Sequence, residues 1–458
     1  MVRLPETQTD HLILRTFDMS EMTPTRVAIA GLGTVGSGVA KVLEQHQQEA
    51  SGASLTQPRL VRILERNPNA PHAQPWYAQK PELFSNDLND LLRDDVDVIV
   101  ETIGGCDFAR TLITEALKAG KHVVTANKDL IAQHGPELTA LAHEQGRHLL
   151  FEAAVAGAIP VLRLLKDYFQ VQDLLELKGI LNGTTNYILS EMESQQLSFA
   201  TALSQAQELG FAEQDPTNDI KGFDARYKLV ILTHLITGQW LAPEDITLEG
   251  IDHLDTADFE YASRLDRRIK LVAVLQRTDE SLRAYVLPLM IPKEELLAKI
   301  SGSTNVVTLH GRFSEEISLI GKGAGSLPTA SAIVADLNRV QHPRHHRPVA
   351  SGIPALPLAA FDQYRFQHTL RFEVRDRPGI VGHIGQVFAK HGINIYALEQ
   401  LPHYQDHQNK QAIFTLTLES VQEGLVQKAL AEIQTADFMM APVVILREPV
   451  PEKKGVSA

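Results

Sequence analysis

The chain has 458 residues, 44% of them hydrophobic and 22% charged, which is enough apolar mass for several buried cores and excludes a disordered or low-complexity protein. At about 150 residues per domain, about three domains are expected. The 43 basic residues against 56 acidic ones leave a net charge of -13, which opposes attraction to nucleic acid or to an anionic membrane surface.

No apolar run is long enough to span a bilayer, since the best candidate is bracketed by Glu152 and Arg163 and broken by Gly157 and Pro160. Residues 1–24 carry Glu6, Asp10 and Asp18 around a short apolar patch, unlike a secretory signal, and read as an extension; Met19 and Met22 are possible later starts. Cys106 is the sole cysteine, which excludes an intrachain disulfide and a cysteine-based zinc site. A reducing cytoplasm is the expected home.

From Thr25 to Ala30 a buried-strand pattern runs into Gly31-Leu32-Gly33-Thr34-Val35-Gly36, and helical spacing follows. Further strands are expected at Leu60 to Leu64, Val96 to Glu101 and Val123 to Ala126, with helices between them, among them Phe108 to Leu117. Strands alternating with helices predict a doubly wound parallel sheet over 25–150, an α/β Rossmann-type nucleotide-binding domain. In its first turn Gly31 permits the bend, Gly33 lets the backbone approach a pyrophosphate, and Gly36 allows close helix packing, with Thr34 and Val35 opening the helix. The end of the second strand gives two opposed signals. Glu65 suits a ribose hydroxyl and Arg66 a 2′-phosphate, and both also read as plain exposed charges. Thr102 and Gly104 end the third strand and Thr125 to Lys128 the fourth, so both segments should face the crevice that takes the nicotinamide, with Lys128 a ligand of cofactor or substrate. Cys106 reads better as a small buried filler than as a nucleophile, because nothing near it in sequence signals activation.

Beyond Phe151 the pattern changes to an α+β domain over 151–320, with a helix from Ile159 and strands at Leu174 to Leu181 and near Tyr285 to Ile291. At Leu181 to Ile188 a strand passes into a helix through Asn182, Gly183, Thr184 and Tyr187; its amides suit a carboxylate or an ordinary helix cap. The densest polar block runs from Glu213 to Lys228. It contains Asp219, a turn at Pro216 and Gly222, and a helix over Ala225 to Leu232, on which Asp224 and Lys228 share a face. Such a block can grip an amino group with a carboxylate and hold an ammonium ready as proton donor. Gly321 to Thr329, with Gly325, is a small-residue loop before an apolar helix, and 321–340 is expected to pack back on the nucleotide domain. The His342 to Pro357 stretch has linker chemistry; its clustered histidines read as solvated rather than metal-binding, and 341–365 is taken as the linker. The order β-α-β-β-α-β over 366–448 is ferredoxin-like, and 449–458 is a tail.

Taken together, Gly31 to Gly36, Thr125-Ala126-Asn127-Lys128, Asn182-Gly183-Thr184-Thr185-Asn186-Tyr187, the Glu213 to Lys228 block and Gly323-Ala324-Gly325 with Pro328-Thr329 resemble homoserine dehydrogenase over about residues 24 to 340. Residues 366 to 448 resemble an ACT domain through Asp376-Arg377-Pro378-Gly379-Ile380-Val381 and His391-Gly392-Ile393-Asn394-Ile395. The resemblance implies reversible, nicotinamide-dependent interconversion of aspartate 4-semialdehyde and homoserine, on the route to threonine and methionine. It also implies roles: Lys228 as proton donor, Glu213 on the substrate amino group, Asp219 and Asp224 shaping the substrate site with Gly183, Thr184 and Tyr187, and Lys128 beside cofactor and substrate. A sodium ion held by Glu152 and the backbone of Val155, Gly157 and Ile159 is implied in the same way. Arg66 matches a basic residue of the family and points to NADP, while Glu65 leaves NAD open. A homo-oligomer, dimer or tetramer, and a regulatory amino acid, threonine, at the ACT domain complete the expectation. Two rivals remain. An aspartate-semialdehyde dehydrogenase would need Cys106 as nucleophile, in a setting unlike that family's, and a silent sensor would have no use for Lys128, Glu213, Asp224 and Lys228 together.

Overall fold

The computed structural model describes residues 24–49, 57–169, 172–340, 355–401, 404–406 and 411–450. Strand β1 (Arg26–Ala30) is buried on both faces from Val27 onward, as a central parallel strand must be. It leads into α1 (Thr34–Glu49), β2 (Arg59–Leu64), α2 (Gln74–Gln79), β3 (Phe84–Ser85), β4 (Val98–Glu101), α3 (Asp107–Lys118), β5 (His122–Thr125), α4 (Lys128–Glu144) and β6 (Leu149–Leu150). The six strands pair in parallel in the order β3-β2-β1-β4-β5-β6. The strand order reverses between β1 and β4, and in open parallel sheets ligands bind beyond the carboxyl ends of the strands at such a switch point. Strand β4 starts two residues later than the apolar pattern suggested, because the Asp97 carboxylate is committed to the backbone and guanidinium of Arg26.

The next segment comprises α5 (Val161–Asp167), β7 (Leu174–Ile180), α6 (Gly183–Gln195), α7 (Phe199–Glu208), α8 (Thr217–Ile220), α9 (Phe223–Thr237), β8 (Thr247–Leu248), α10 (Thr256–Arg264), β9 (Arg267–Arg277), β10 (Leu282–Pro292), α11 (Leu296–Lys299), β11 (Thr304–Gly311), β12 (Glu315–Lys322) and α12 (Ser326–Val340). Helix α5 begins at Val161 rather than Ile159, since Ala156 and Gly157 have positive φ and Pro160 sits at the N-cap. Helix α12 crosses back onto α1: a Cβ on Gly38 would lie 2.6 Å from the Ser326 hydroxyl, which itself donates to the Thr34 carbonyl at 2.7 Å. Ala330, Ile333 and Leu337 of α12 join the core beneath β1 and β4.

The last segment runs β13 (Arg365–Arg375), α13 (Ile380–Lys390), β14 (Ile395–Glu399), β15 (Gln405–Asp406), β16 (Gln411–Leu418), β17 (Val421–Gln422), α14 (Glu423–Ile433) and β18 (Val444–Pro449). Its own core gathers Leu370, Phe372, Ile384, Phe388, Phe414 and Leu430. The sheet does not stop at the module boundary. In one twelve-stranded sheet the strands run β12-β11-β7-β9-β10-β18-β13-β16-β14, with β8, β17 and β15 pairing off this path on β10, β13 and β16, and the two parts join where Leu289 of β10 pairs with Arg447 of β18. The Pro-rich stretch at 341–365 reads in the sequence as the linker between the two parts. Most of that stretch, 341–354, lies outside the described residues, as do residues 1–23 of the expected extension and the tail beyond Val450. The sheet itself joins the parts, reinforced by 355–359 running along β10, with backbone bonds from Leu282 to Pro357 and from Ala359 to Leu282. Among the described residues no helix is long and apolar enough to cross a membrane.

Charged pairs close this seam. The Arg371 guanidinium on β13 donates to both Asp258 oxygens on α10, at 2.6 and 3.1 Å, with Asp258 1% exposed. Arg447 donates to both Glu423 oxygens and to Glu249, while His368 lies 2.9 Å from Glu423. Removing one member of a buried pair strands the other charge. Arg371→Met is therefore expected to lower stability by about 3–5 kcal/mol in urea titrations at neutral pH. An unchanged midpoint would show that the pair contributes nothing to the seam.

Candidate active site

The glycine turn after β1 is built as dinucleotide chemistry requires. Gly31 has φ 88°, and a Cβ there would lie 2.9 Å from the Thr102 carbonyl oxygen. A Cβ on Gly36 would come within 2.0 Å of the Gly31 carbonyl oxygen, so no other residue lets α1 approach the strand this closely. Gly33 meets nothing within 4 Å, which leaves its backbone face open to a diphosphate at the helix N-terminus. Thr34 and Val35 open α1 beside it. Thr102 closes the turn from β4, its hydroxyl donating to the Gly31 carbonyl at 2.7 Å. Glu65 braces the same turn: one carboxylate oxygen accepts from the Leu32 amide at 2.8 Å and the other from the Asn67 amide at 2.9 Å. This bracing was not anticipated; its only sequence signal was an acid at the second strand's end. Arg66 is exposed and takes part in none of the described ion pairs.

The ends of β4 and β5 are held by a second acid, this one buried, to which the sequence alone assigned no role. Glu101, fully buried, accepts from the Ile103 and Gly104 amides and from the Thr125 hydroxyl at 2.5 Å, and burial pushes its carboxyl up. Thr125 is thereby turned inward, while Gly104 has open space around its α-carbon. Asn127 donates to the Gly105 carbonyl and caps α4, so Lys128, the first residue of that helix, projects from a fixed turn. Cys106 is half-buried, and burial, with Asp129 and Asp107 nearby, raises its thiol. It is not an activated nucleophile.

Across the crevice stands Asp224, in the first turn of α9. Its carboxylate accepts from the Lys228 ammonium at 2.7 Å and lies 3.3 Å from the Lys128 ammonium. Burial alone would raise this carboxyl; Lys228 and Lys128 outweigh it and bring it down to about 2. Lys228 also donates to the Leu181 carbonyl at 2.7 Å, which leaves one of its three N–H groups for a reacting oxygen. Asn182 is the residue sequence reading underrated. Its amide nitrogen bridges Asp219, at 2.6 Å, and Asp224, at 2.9 Å, while its oxygen caps α6 at the Thr185 amide. Asp219, on α8, is raised by burial and by the neighbouring Asp224.

The other candidates occupy separate positions. Gly183 opens α6 hard against the Ser303 carbonyl, where a Cβ would meet oxygen at 2.9 Å. The Thr184 hydroxyl donates to the Phe211 carbonyl at 2.7 Å, and Tyr187 packs on the Phe211 ring with centroids 4.8 Å apart. Glu213 is exposed, with its backbone carbonyl accepting from Gln207. Gly325, at φ 120°, precedes α12. Glu152 is buried and accepts from the Leu162 amide; burial, with Asp336 close by, lifts its carboxyl to about 7. Val155, Gly157 and Ile159 line the turn after it, where a Cβ on Gly157 would meet the Gly323 backbone at 2.7 Å. Among the described residues no group of three or more His, Cys, Asp or Glu side chains could hold a metal ion.

Comparison with known proteins gives this arrangement its family. The family model described as homoserine dehydrogenase matches residues 160–337, that of the homoserine dehydrogenase NAD binding domain 31–152, and that of the ACT domain 368–435. Homoserine dehydrogenase of Pseudomonas aeruginosa is 36% identical over 438 residues, covering 93% of this chain and 99% of that one; that of Neisseria gonorrhoeae is 36% identical over 442 residues, with the same coverage. Among solved structures, a homoserine dehydrogenase from Thiobacillus denitrificans superposes with a TM-score of 0.82 at 36% identity, covering 93% of this chain and 98% of that one. A hyperthermophilic archaeal homoserine dehydrogenase in complex with NADPH shares the fold at 24% identity, with a TM-score of 0.59 over 69% of this chain and 98% of that one. With three family models matched in order along the chain and relatives 36% identical over 93% of it, the chain belongs to the homoserine dehydrogenase family.

Proposed function

We infer that this chain oxidises homoserine to aspartate 4-semialdehyde, and runs the reverse reaction, in amino-acid biosynthesis. The observation that carries the reading is Asp224 with Lys228 and Lys128 upon it, Lys128 coming from the turn that follows β5 of the parallel sheet. A bound nicotinamide coenzyme supplies the hydride acceptor or donor. The chain's own part is electrostatic. As charge grows on the substrate oxygen during reduction, the free N–H of Lys228 stabilises it and delivers the proton, and Asp224 holds that ammonium in place. Glu213 receives the substrate ammonium, Asp219 and Asn182 shape the pocket, and the Gly183, Thr184 and Tyr187 turn borders it. Gly31, Gly33, Thr34, Val35, Gly36, Thr102, Gly104, Thr125, Lys128 and Gly325 form the coenzyme's surroundings.

Finer readings follow on the same footing. NADP is the preferred coenzyme, supported by exposed Arg66 and by the occupation of both Glu65 oxygens with backbone amides. Glu152 and the carbonyls of Val155, Gly157 and Ile159 suit a hard cation, all donors being oxygen, and hold sodium. The cavity of about 150 Å³ beside Asp376, Gly379 and Val381 takes the regulatory amino acid, threonine. The strands at the two ends of the long sheet, β12 and β14, support a homo-oligomer, because an edge strand templates a further chain. The cytoplasmic reading rests on the single cysteine, Cys106.

Three measurements test these statements. Lys228→Met is expected to cut turnover of homoserine by about a hundredfold or more while the melting shift induced by coenzyme persists; near-native turnover removes Lys228 from the chemistry. Arg66→Ala is expected to raise the KM for NADP about tenfold and leave that for NAD nearly unchanged; equal losses reject the 2′-phosphate contact. In the full chain, threonine is expected to lower activity about tenfold, which needs about 1.4 kcal/mol of differential binding. Asp376→Ala should abolish that response at unchanged basal activity, and an unaltered response moves the regulator elsewhere.

A further inference from the structure

Asn305 is 1% exposed, and neither its side-chain nitrogen nor its oxygen has a hydrogen-bond partner among the described residues. A buried amide left unpaired forfeits its hydration without compensation, so such a group calls for an explanation at its site. Its position is over-determined. Thr304 on one side has its carbonyl bound by the Asn186 amide, which also reaches the Gly302 carbonyl, and Asn186 in turn accepts from the buried Lys270 ammonium. Val306 on the other side is fully buried and pairs with Ile180 at the end of β7.

The amide lies between two glycines from different parts of the site. A Cβ on Gly323 would fall 2.1 Å from the Asn305 nitrogen, and one on Gly183 would fall 3.5 Å from its oxygen. Gly183 opens the helix capped by Asn182, which grips Asp219 and Asp224. Gly323 begins the loop that ends at Ser326, whose hydroxyl is bound to the Thr34 carbonyl at the start of α1. One side chain therefore separates the catalytic turn from the loop that touches the glycine fingerprint.

We propose that Asn305 is a positioning residue of the dehydrogenase site: it spaces the Leu181 to Thr184 turn from the Gly323 to Gly325 loop, and its amide gains hydrogen bonds in the coenzyme-bound arrangement of that loop. The inference rests on the dehydrogenase reading. Coenzyme occupancy felt at Thr34 then reaches Asn182, and through it the carboxylate that orients both lysines.

The test compares wild type and Asn305→Leu, of similar volume and without polar atoms, by melting temperature with and without NADP and by homoserine kinetics. Without coenzyme the variant is expected to melt within about 2 °C of wild type, or higher, because no hydrogen bond is lost there. With NADP its melting shift should shrink, and kcat/KM should fall about tenfold. A purely structural amide gives the opposite signature, equal loss of melting temperature with and without NADP, and that result overturns the proposal; so do native kinetics with a native shift. If the leucine is not accommodated, Asn305→Ser, which is too short to span both glycines, carries the test with the same readouts. A wild type that does not turn over homoserine sinks the dehydrogenase reading alone, since the NADP melting shift still decides the role of Asn305.

Discussion

The site hangs on one buried carboxylate. Asp224 has a lysine from its own helix on one oxygen and a lysine from the nucleotide-binding part on the other, with the Asn182 amide added to the first. Two ammonium groups near each other repel and are costly to bury; a single shared anion makes both tenable and sets their spacing. Lys128 and Lys228 come from elements that approach one another only when the two sheets pack together. The carboxylate therefore joins catalytic geometry to domain packing. Neither lysine could be shifted without disturbing the other.

The same economy recurs at the ends of strands. Glu65, Glu101 and Asn182 are polar side chains spent on backbone amides and neighbouring carboxylates rather than on solvent. Each fixes a turn in which ligand-facing groups are presented by the backbone. At the far end of the molecule Glu423 serves His368 and Arg447 together, and these contacts hold its carboxyl well below the usual range despite burial. Arg447 reaches on to Glu249, which belongs to the segment following β8. The next residues lie against α8, where the Ile251 amide donates to the Ile220 carbonyl, one residue from Asp219.

Much of this was legible from periodicity and punctuation. The parallel strands, the glycine turn, the Asp224 and Lys228 spacing and the β-α-β-β-α-β order are local signals, and local signals survive in a linear sequence. What was missed depends on partners far along the chain. Asn182 looked like a helix cap, and it is one; its second task requires Asp219 and Asp224 to be folded over it, 37 and 42 residues away. Glu65 was weighed against a ribose, whereas the nearer demand came from the Leu32 amide. The pairing of β10 with β18 links residues separated by most of the C-terminal half, so the sheet that runs through both modules left no local signal.

A hydrogen-bonded ladder is also a torsional element, because neighbouring strands share their twist and cannot rotate independently. From β14 to β12 the strands form one such ladder. The cavity beside Asp376 touches β13 and β16 through Val374, Ala412 and Phe414. Strand β7, four places along the ladder from β13, ends one residue before Leu181, whose carbonyl receives the Lys228 ammonium. A change of pitch at the end of the ladder that carries this cavity would therefore reach the Leu181 carbonyl through the backbone, without a relay of side chains at the seam.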